Sequence, residues 1–139
     1  MVHALGEIRR VLVPGGILLD LRPLAAQWPV EVASGKDYGE AGRLIDLPAA
    51  IVDDEAATRA IQEAESRAWF IREREEEFAY FYYWDTPSEM KEFMETEWEG
   101  SEKLDAAVLK AVQSAWAVAN ADARVRVRVK MLITRWRKR

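Results

Sequence analysis

The 139-residue chain is half hydrophobic and about one-third charged, a balance that supports a buried core without covalent staples. It has no cysteine and one histidine, His3, which excludes disulfides, thiolate zinc sites, cysteine nucleophiles and histidine-pair metal motifs within one chain. The net charge of −4 hides a split: residues 124–139 hold eight basic residues and no acidic one, leaving 12 basic and 24 acidic residues in 1–123, a net of −12.

No apolar run approaches the roughly 18–20 residues of a membrane span. Glu7, Arg9 and Arg10 interrupt the N-terminal stretch where a signal peptide needs an apolar one. The expectation is a cytoplasmic chain, residues 1–139 forming one domain, with no membrane partner.

Val2, Leu5, Ile8 and Leu12 recur at helical spacing, so the chain opens on an amphipathic helix. Pro14 cannot extend that helix, and Gly15-Gly16 can take positive φ to turn the chain. Ile17 to Leu21 is short and apolar, as a strand buried on both faces would be. Helix, tight turn and strand make one step of a layered α/β sheet.

Val30 to Ala33 and Tyr38 to Ile45 flank Ser34-Gly35-Lys36-Asp37, a hairpin signal in which Pro29 suits a strand start or an edge. Asp46 to Ile51 reads as a connector. From about Asp53 to Glu77 helix formers dominate without Gly or Pro, and Ile61, Ala64, Ala68 and Ile71 mark an apolar stripe. The charged stretch Arg72 to Glu77 is expected to be the solvated end of that helix. Its glutamates (Glu73, Glu75, Glu76 and Glu77) are poor joint metal ligands there, because adjacent helix positions diverge.

Phe78 to Trp84 carries six aromatics in seven positions, which predicts a well-covered strand. Thr86-Pro87-Ser88-Glu89 matches a capping box with proline at the first helical position. The helix it starts uses Met90, Phe93, Met94 and Trp98 and stops at Gly100; Leu104, Val108, Ala111, Val112 and Ala115 stripe another, ending near Asn120. In the last segment Val125, Val127, Val129, Met131 and Ile133 alternate with Arg124, Arg126, Arg128 and Lys130, a long strand with one wet face.

The opening His3-Ala4-Leu5-Gly6-Glu7-Ile8-Arg9-Arg10-Val11-Leu12-Val13-Pro14-Gly15-Gly16-Ile17-Leu18-Leu19-Asp20 resembles the second half of class I S-adenosylmethionine-dependent methyltransferases, where a helix reading roughly L-x-E-I-x-R-V-L-x-P-G-G precedes the fifth strand of a seven-stranded sheet. The resemblance covers about the first 23 residues. It implies an α/β fold, a mixed sheet with flanking helices resembling the C-terminal half of that Rossmann-like fold. Phe78 to Trp84 would be its sixth strand and Arg124 to Trp136 a seventh, antiparallel to its neighbours, with the 30–45 hairpin as an insertion. The family's Gly-rich cofactor loop has no counterpart here, because Gly15-Gly16 follows a helix and precedes a strand, the reverse order.

The resemblance therefore implies a partial domain without a cofactor in the isolated chain: a non-catalytic, dimerising interaction module. The homodimer is expected through the strand edge at Ile17 to Arg22, since a bare apolar edge invites pairing with another chain. Two alternatives stand beside it. A partner chain carrying the Gly-rich loop could complete a methyltransferase and bring S-adenosylmethionine; or the chain could bind a small apolar ligand through Trp28, Tyr38, Trp69 and Tyr80. Asp20 and Arg22 end the first strand, where open α/β sheets place their crevices, and are candidates for a small polar ligand. His3 has no nearby acid to orient it and reads as a helix-start residue. Tyr80, Tyr82 and Trp84 beside the arginine strand resemble a stacking platform for single-stranded nucleic acid, but the acidic remainder opposes a polyanion.

Overall fold

A computed structural model describes residues 1–139. The elements in order are α1 (Val2–Val11), β1 (Ile17–Pro23), β2 (Pro29–Ser34), β3 (Asp37–Arg43), β4 (Ile45–Asp46), α2 (Pro48–Ser66), β5 (Phe70–Trp84), α3 (Pro87–Glu97), β6 (Glu102–Lys103), α4 (Ala106–Ala117) and β7 (Arg124–Lys138). The fold is α/β. Its main sheet has five strands, with β7 pairing β1, β2 and β5 and with β3 beyond β2; β4 and β6 form a separate two-stranded sheet. β7 runs antiparallel to β1 and to β2, as β2 does to β3, so the sheet is mostly antiparallel rather than mixed. The chain divides into two compact units: Met1–Leu24, Val52–Phe78 and Met131–Arg139 form the first, Ala25–Ile51 and Ala79–Lys130 the second.

In the first unit Leu5 of α1, Ala60 and Ala64 of α2, Phe70 of β5 and Trp136 of β7 form a buried cluster, with Val2, Ile8, Leu12, Leu18, Ile61 and Trp69 packed on it. The helical stripe of α1 is thus the face that it buries. Arg9 and Arg10 close its last turn, where cations complement the helix dipole. Gly15 takes φ +75°, so the turn needs a residue tolerant of the left-handed region. The turn is tied to the end of β7 by Gly15 N–H donating to Lys138 O (3.1 Å) and Lys138 N–H to Gly16 O (2.8 Å).

The long helix expected to reach Glu77 ends eleven residues sooner, at Ser66, and Asp46–Ile51 is a strand end and a helix start rather than a plain connector. Ala68 adopts φ +55° and turns the chain, and Arg72–Glu77 belongs to β5. Two of its carboxylates are held by β7: Glu73 pairs with Arg135 (2.9 Å) and Arg137, and Thr134 Oγ1 donates to Glu75 Oε2 at 3.2 Å. Local helix propensity gives way here to non-local pairing, the usual limit of a propensity argument.

β1 is not buried on both faces. Leu18, Asp20 and Arg22 pair with Trp136, Thr134 and Leu132 on the covered side, whereas Leu19 and Leu21 on the other side are 60% and 57% exposed. The covered parity of β7 changes along its length. Val125, Val127 and Val129 are buried, then Leu132, Thr134 and Trp136, so Met131 and Ile133 are only half-buried and not the core residues that strict alternation predicts.

In the second unit Val30, Leu44, Met90, Val112, Val125 and Val127 are fully buried. The hairpin stands as expected, with Ser34 opposite Asp37. A Cβ on Gly42 would lie 2.8 Å from Val108, so only glycine lets β3 approach α4 this closely. Thr86 caps α3 by accepting from Glu89 N–H (3.2 Å), and Glu89 returns a carboxylate to Asp85 N–H (3.0 Å), a capping box shifted by one residue. Of the aromatic strand, Tyr82 and Trp84 pack on Phe93 and Trp98, while Phe78, Tyr80 and Tyr83 are largely exposed, so the strand is covered only at its end.

Candidate functional site

The first unit concentrates two features on β1, an open edge and a strand-end cavity. β1 has one strand neighbour, β7, and its other edge has none. Beside that edge Leu19 and Leu21 lie in register with Arg135 and Ile133, and Pro23 with Met131, so the exposed side is largely apolar.

On the covered side, Asp20 and Arg22 come together as the sequence suggests, with Arg22 Nε 3.5 Å from Asp20 Oδ2. Arg22 Nη1 also donates to Asp54 O (3.3 Å), Asp54 Oδ1 (3.4 Å) and Thr58 Oγ1 (3.3 Å), anchoring β1 to α2. Burial raises the affinity of Asp20 for a proton, the Arg22 guanidinium opposes that rise, and the Glu75 carboxylate adds to it. A cavity of about 310 Å³ opens beside this group, lined among others by Arg22, Thr58, Gln62, Arg72, Glu75 and Trp136. Trp136 Nε1 and Arg22 Nε are buried there without a hydrogen-bond acceptor. A small ligand offering a carbonyl, hydroxyl or carboxylate oxygen could satisfy them.

The other sequence candidates have separate surroundings. Trp28 is buried in the second unit with its ring edge-on to Trp98 at 5.4 Å. Tyr38, exposed, lies under Arg126 (4.5 Å) and Arg128 (5.0 Å). Tyr80 is half-exposed and stands edge-on to Tyr82 at 5.2 Å. Trp69, in the first unit, is covered by the guanidiniums of Arg9 and Arg67. His3 is exposed in the first turn of α1. No group of three or more His, Cys, Asp or Glu side chains is placed to hold a metal ion. No helix is long and apolar enough to cross a membrane.

Two buried carboxylates of the second unit escape any local sequence signal. Glu31 accepts from Arg126 Nε (2.9 Å) and from Arg128, and the Arg126 guanidinium stacks against the rings of Tyr38, Phe81 and Tyr83. Glu102 sits opposite Asp46 in the β4–β6 pair. Only strand pairing distant in the chain reveals their burial.

Geometry defines an α/β chain with an unfinished sheet edge and a small strand-end cavity within the first unit. No protein-family model matches the chain, and no curated protein or solved structure is significantly similar to it.

Proposed function

We propose that this chain is a non-catalytic interaction module, resembling a partial class I methyltransferase domain, that associates with a second copy of itself through β1. The observation that carries the reading is the unpaired β1 edge with Leu19 and Leu21 standing in solvent beside it. Unprotected apolar edges are rare in stable monomers, which blunt them with charge, proline or a covering element. The β1 sequence is also self-complementary. Antiparallel pairing about a two-fold axis at Leu21 sets Asp20 opposite Arg22 twice, Leu21 against Leu21, and Leu19 against Pro23, the isologous pattern of a symmetric dimer.

Light scattering on the eluting protein tests this. The expected mass is twice 15.9 kDa, and Leu21→Lys should halve it while leaving the circular dichroism unchanged. A wild-type monomer at about 10 μM, a concentration well above the Kd of a functional dimer of this kind, would sink the proposal.

The same bare face favours a second reading. Layered α/β sheets carry helices on both faces, and a partner chain holding the Gly-rich loop would supply the missing cover. S-adenosylmethionine would then bind the two-chain complex and not this chain alone, a difference that calorimetry reads directly. Heat of binding to the isolated chain would count against it.

A further inference from the structure

The smaller sheet consists of two residue pairs, Ile45 with Lys103 and Asp46 with Glu102, which join β4 to β6 within the second unit. So short a strand pair has little backbone bonding of its own, and its side chains decide whether it stays closed. Leu47 N–H donates to Ser101 O (2.9 Å) beside it, and Glu102 N–H donates to Trp98 O (2.9 Å). The Asp46 carboxylate also reaches a third segment. Both of its oxygens accept from Gln27 N–H at 3.1 Å, and Gln27 is held at φ +48°, a left-handed conformation that few non-glycine residues adopt.

Glu102, 4% exposed, lies across from Asp46 with both carboxyl oxygens sealed from solvent and met by no nitrogen donor. An ionised carboxyl buried without a donor is costly, and a second carboxylate directly opposite adds repulsion. A proton removes both costs. The neutral Glu102 carboxyl donates a hydrogen bond to Asp46, and one negative charge remains where there were two. No neighbouring element supplies a cation instead. α3 brings Lys91 and Glu95, which pair with each other at 3.1 Å; the turn after it brings Glu99, and β6 brings Lys103. α4 adds only Ala106 and Leu109 to the adjoining cavity, and Asp105 before it caps Ala106 N–H at 3.0 Å.

We propose that the β4–β6 pair is a pH-operated clasp, closed while Asp46 and Glu102 share one proton and opened locally when both are ionised. Closed and opened forms keep that proton over different ranges. In the closed pair burial, aided by Asp46, pushes the Glu102 carboxyl up to about 7, whereas water in the opened pair returns it toward the ordinary 4.5. The stabilisation of the closed form is therefore present in full below pH 4.5 and is lost as pH rises through 7. Opening separates Leu47 from Leu104, which follow the paired strands in sequence, and so widens the apolar cavity of about 430 Å³ that they line with Met94 and Leu109.

Amide hydrogen exchange of the full chain at pH 5 and pH 8, corrected for the intrinsic rate, tests the clasp. Protection of Leu47 and Glu102 should fall at least about tenfold over that interval, one decade for each unit of pKa difference crossed. At both pH values these amides should be less protected than those of Val125 and Val127 in β7, the mark of an opening smaller than global unfolding. Glu102→Gln, whose side-chain amide donates to Asp46 at any pH, should abolish the fall. Equal protection of all four amides overturns the proposal, because the pair then opens only with the whole fold. So does wild-type protection that is the same at pH 5 and pH 8, or a fall of equal size in Glu102→Gln. None of these readouts depends on the oligomeric state, so failure here is distinguishable from failure of the β1 association.

Discussion

Glu31 and Glu102 are removed from solvent to nearly the same degree, 1% and 4% exposed, and both belong to the second unit. Glu31 is met by two guanidiniums, those of Arg126 and Arg128, which are themselves roofed by aromatic rings. Glu102 is met by no cation within bonding distance, and by a carboxylate across the strand pair. One carboxylate is completed by cations, the other by a proton it can donate to Asp46. Burial of a carboxylate alone does not fix its charge state; whether the fold provides a counter-charge or a second carboxylate separates a structural ion pair from a protonated pair.

Removing the counter-charge from Glu31 should make it behave like Glu102, and worse. In Arg126→Met with Arg128→Met, the carboxylate stays buried opposite a neutral side chain. The expected loss is about 3–5 kcal/mol of unfolding free energy, the cost of stranding a buried charge. Urea unfolding at pH 7 measures it, and adding Glu31→Gln to the same chain should recover much of the loss. A double variant that loses under about 1 kcal/mol would place the trio among ordinary surface pairs and dissolve the contrast.

The converse prediction concerns Glu102. Its carboxyl titrates near 7 when folded against an ordinary value of 4.5, so the folded chain holds a proton that the unfolded chain releases between those values. Stability from this group is present in full below pH 4.5 and is lost as pH rises through 7. Glu102→Gln removes the titration. The wild type should therefore fall by about 3 kcal/mol relative to this variant between pH 4 and pH 8, the free energy of that pKa difference. Parallel stability-against-pH curves for the two proteins would show that Glu102 is not held in the neutral form.

Much of the frame was legible in the sequence, and the reasons for the exceptions are physical. The stripe of α1, the Pro14-Gly15-Gly16 turn, the 30–45 hairpin and the capping box at Thr86 are local signals, and each stands where local chemistry puts it. Arg72 to Glu77 misleads because arginine and glutamate are good helix formers, while the partners that make them a strand, Thr134, Arg135 and Arg137, lie about 60 residues on. The turn that begins β5 uses Ala68 in the left-handed region, with no glycine to announce it. Ile17 to Leu21 reads as doubly buried because hydrophobicity reveals what can be covered and not what is present to cover it. The candidate site divides the same way. The strand-end position of Asp20 and Arg22 could be read from order along the chain, whereas Glu102, between Ser101 and Lys103, has every sequence attribute of a solvated turn residue.

The smallest and most specific prediction sharpens the difference between the two glutamates at its source. Asp46 acts on Glu102 through charge and through a hydrogen bond that the protonated Glu102 carboxyl can donate to it, both of which favour the neutral form. Asp46→Asn removes the charge but keeps an oxygen to accept from Gln27 N–H. The Glu102 titration, followed by the carboxyl carbon resonance, should move downward while staying above the ordinary 4.5, because burial is the larger cause and remains. A midpoint that does not move would assign the whole rise to burial and remove Asp46 from the account. A midpoint that falls all the way to the ordinary value would show that Glu102 is solvated whenever Asp46 is neutral. Either result would break the assignment of the rise to burial first and Asp46 second, which is what separates Glu102 from the cation-paired Glu31.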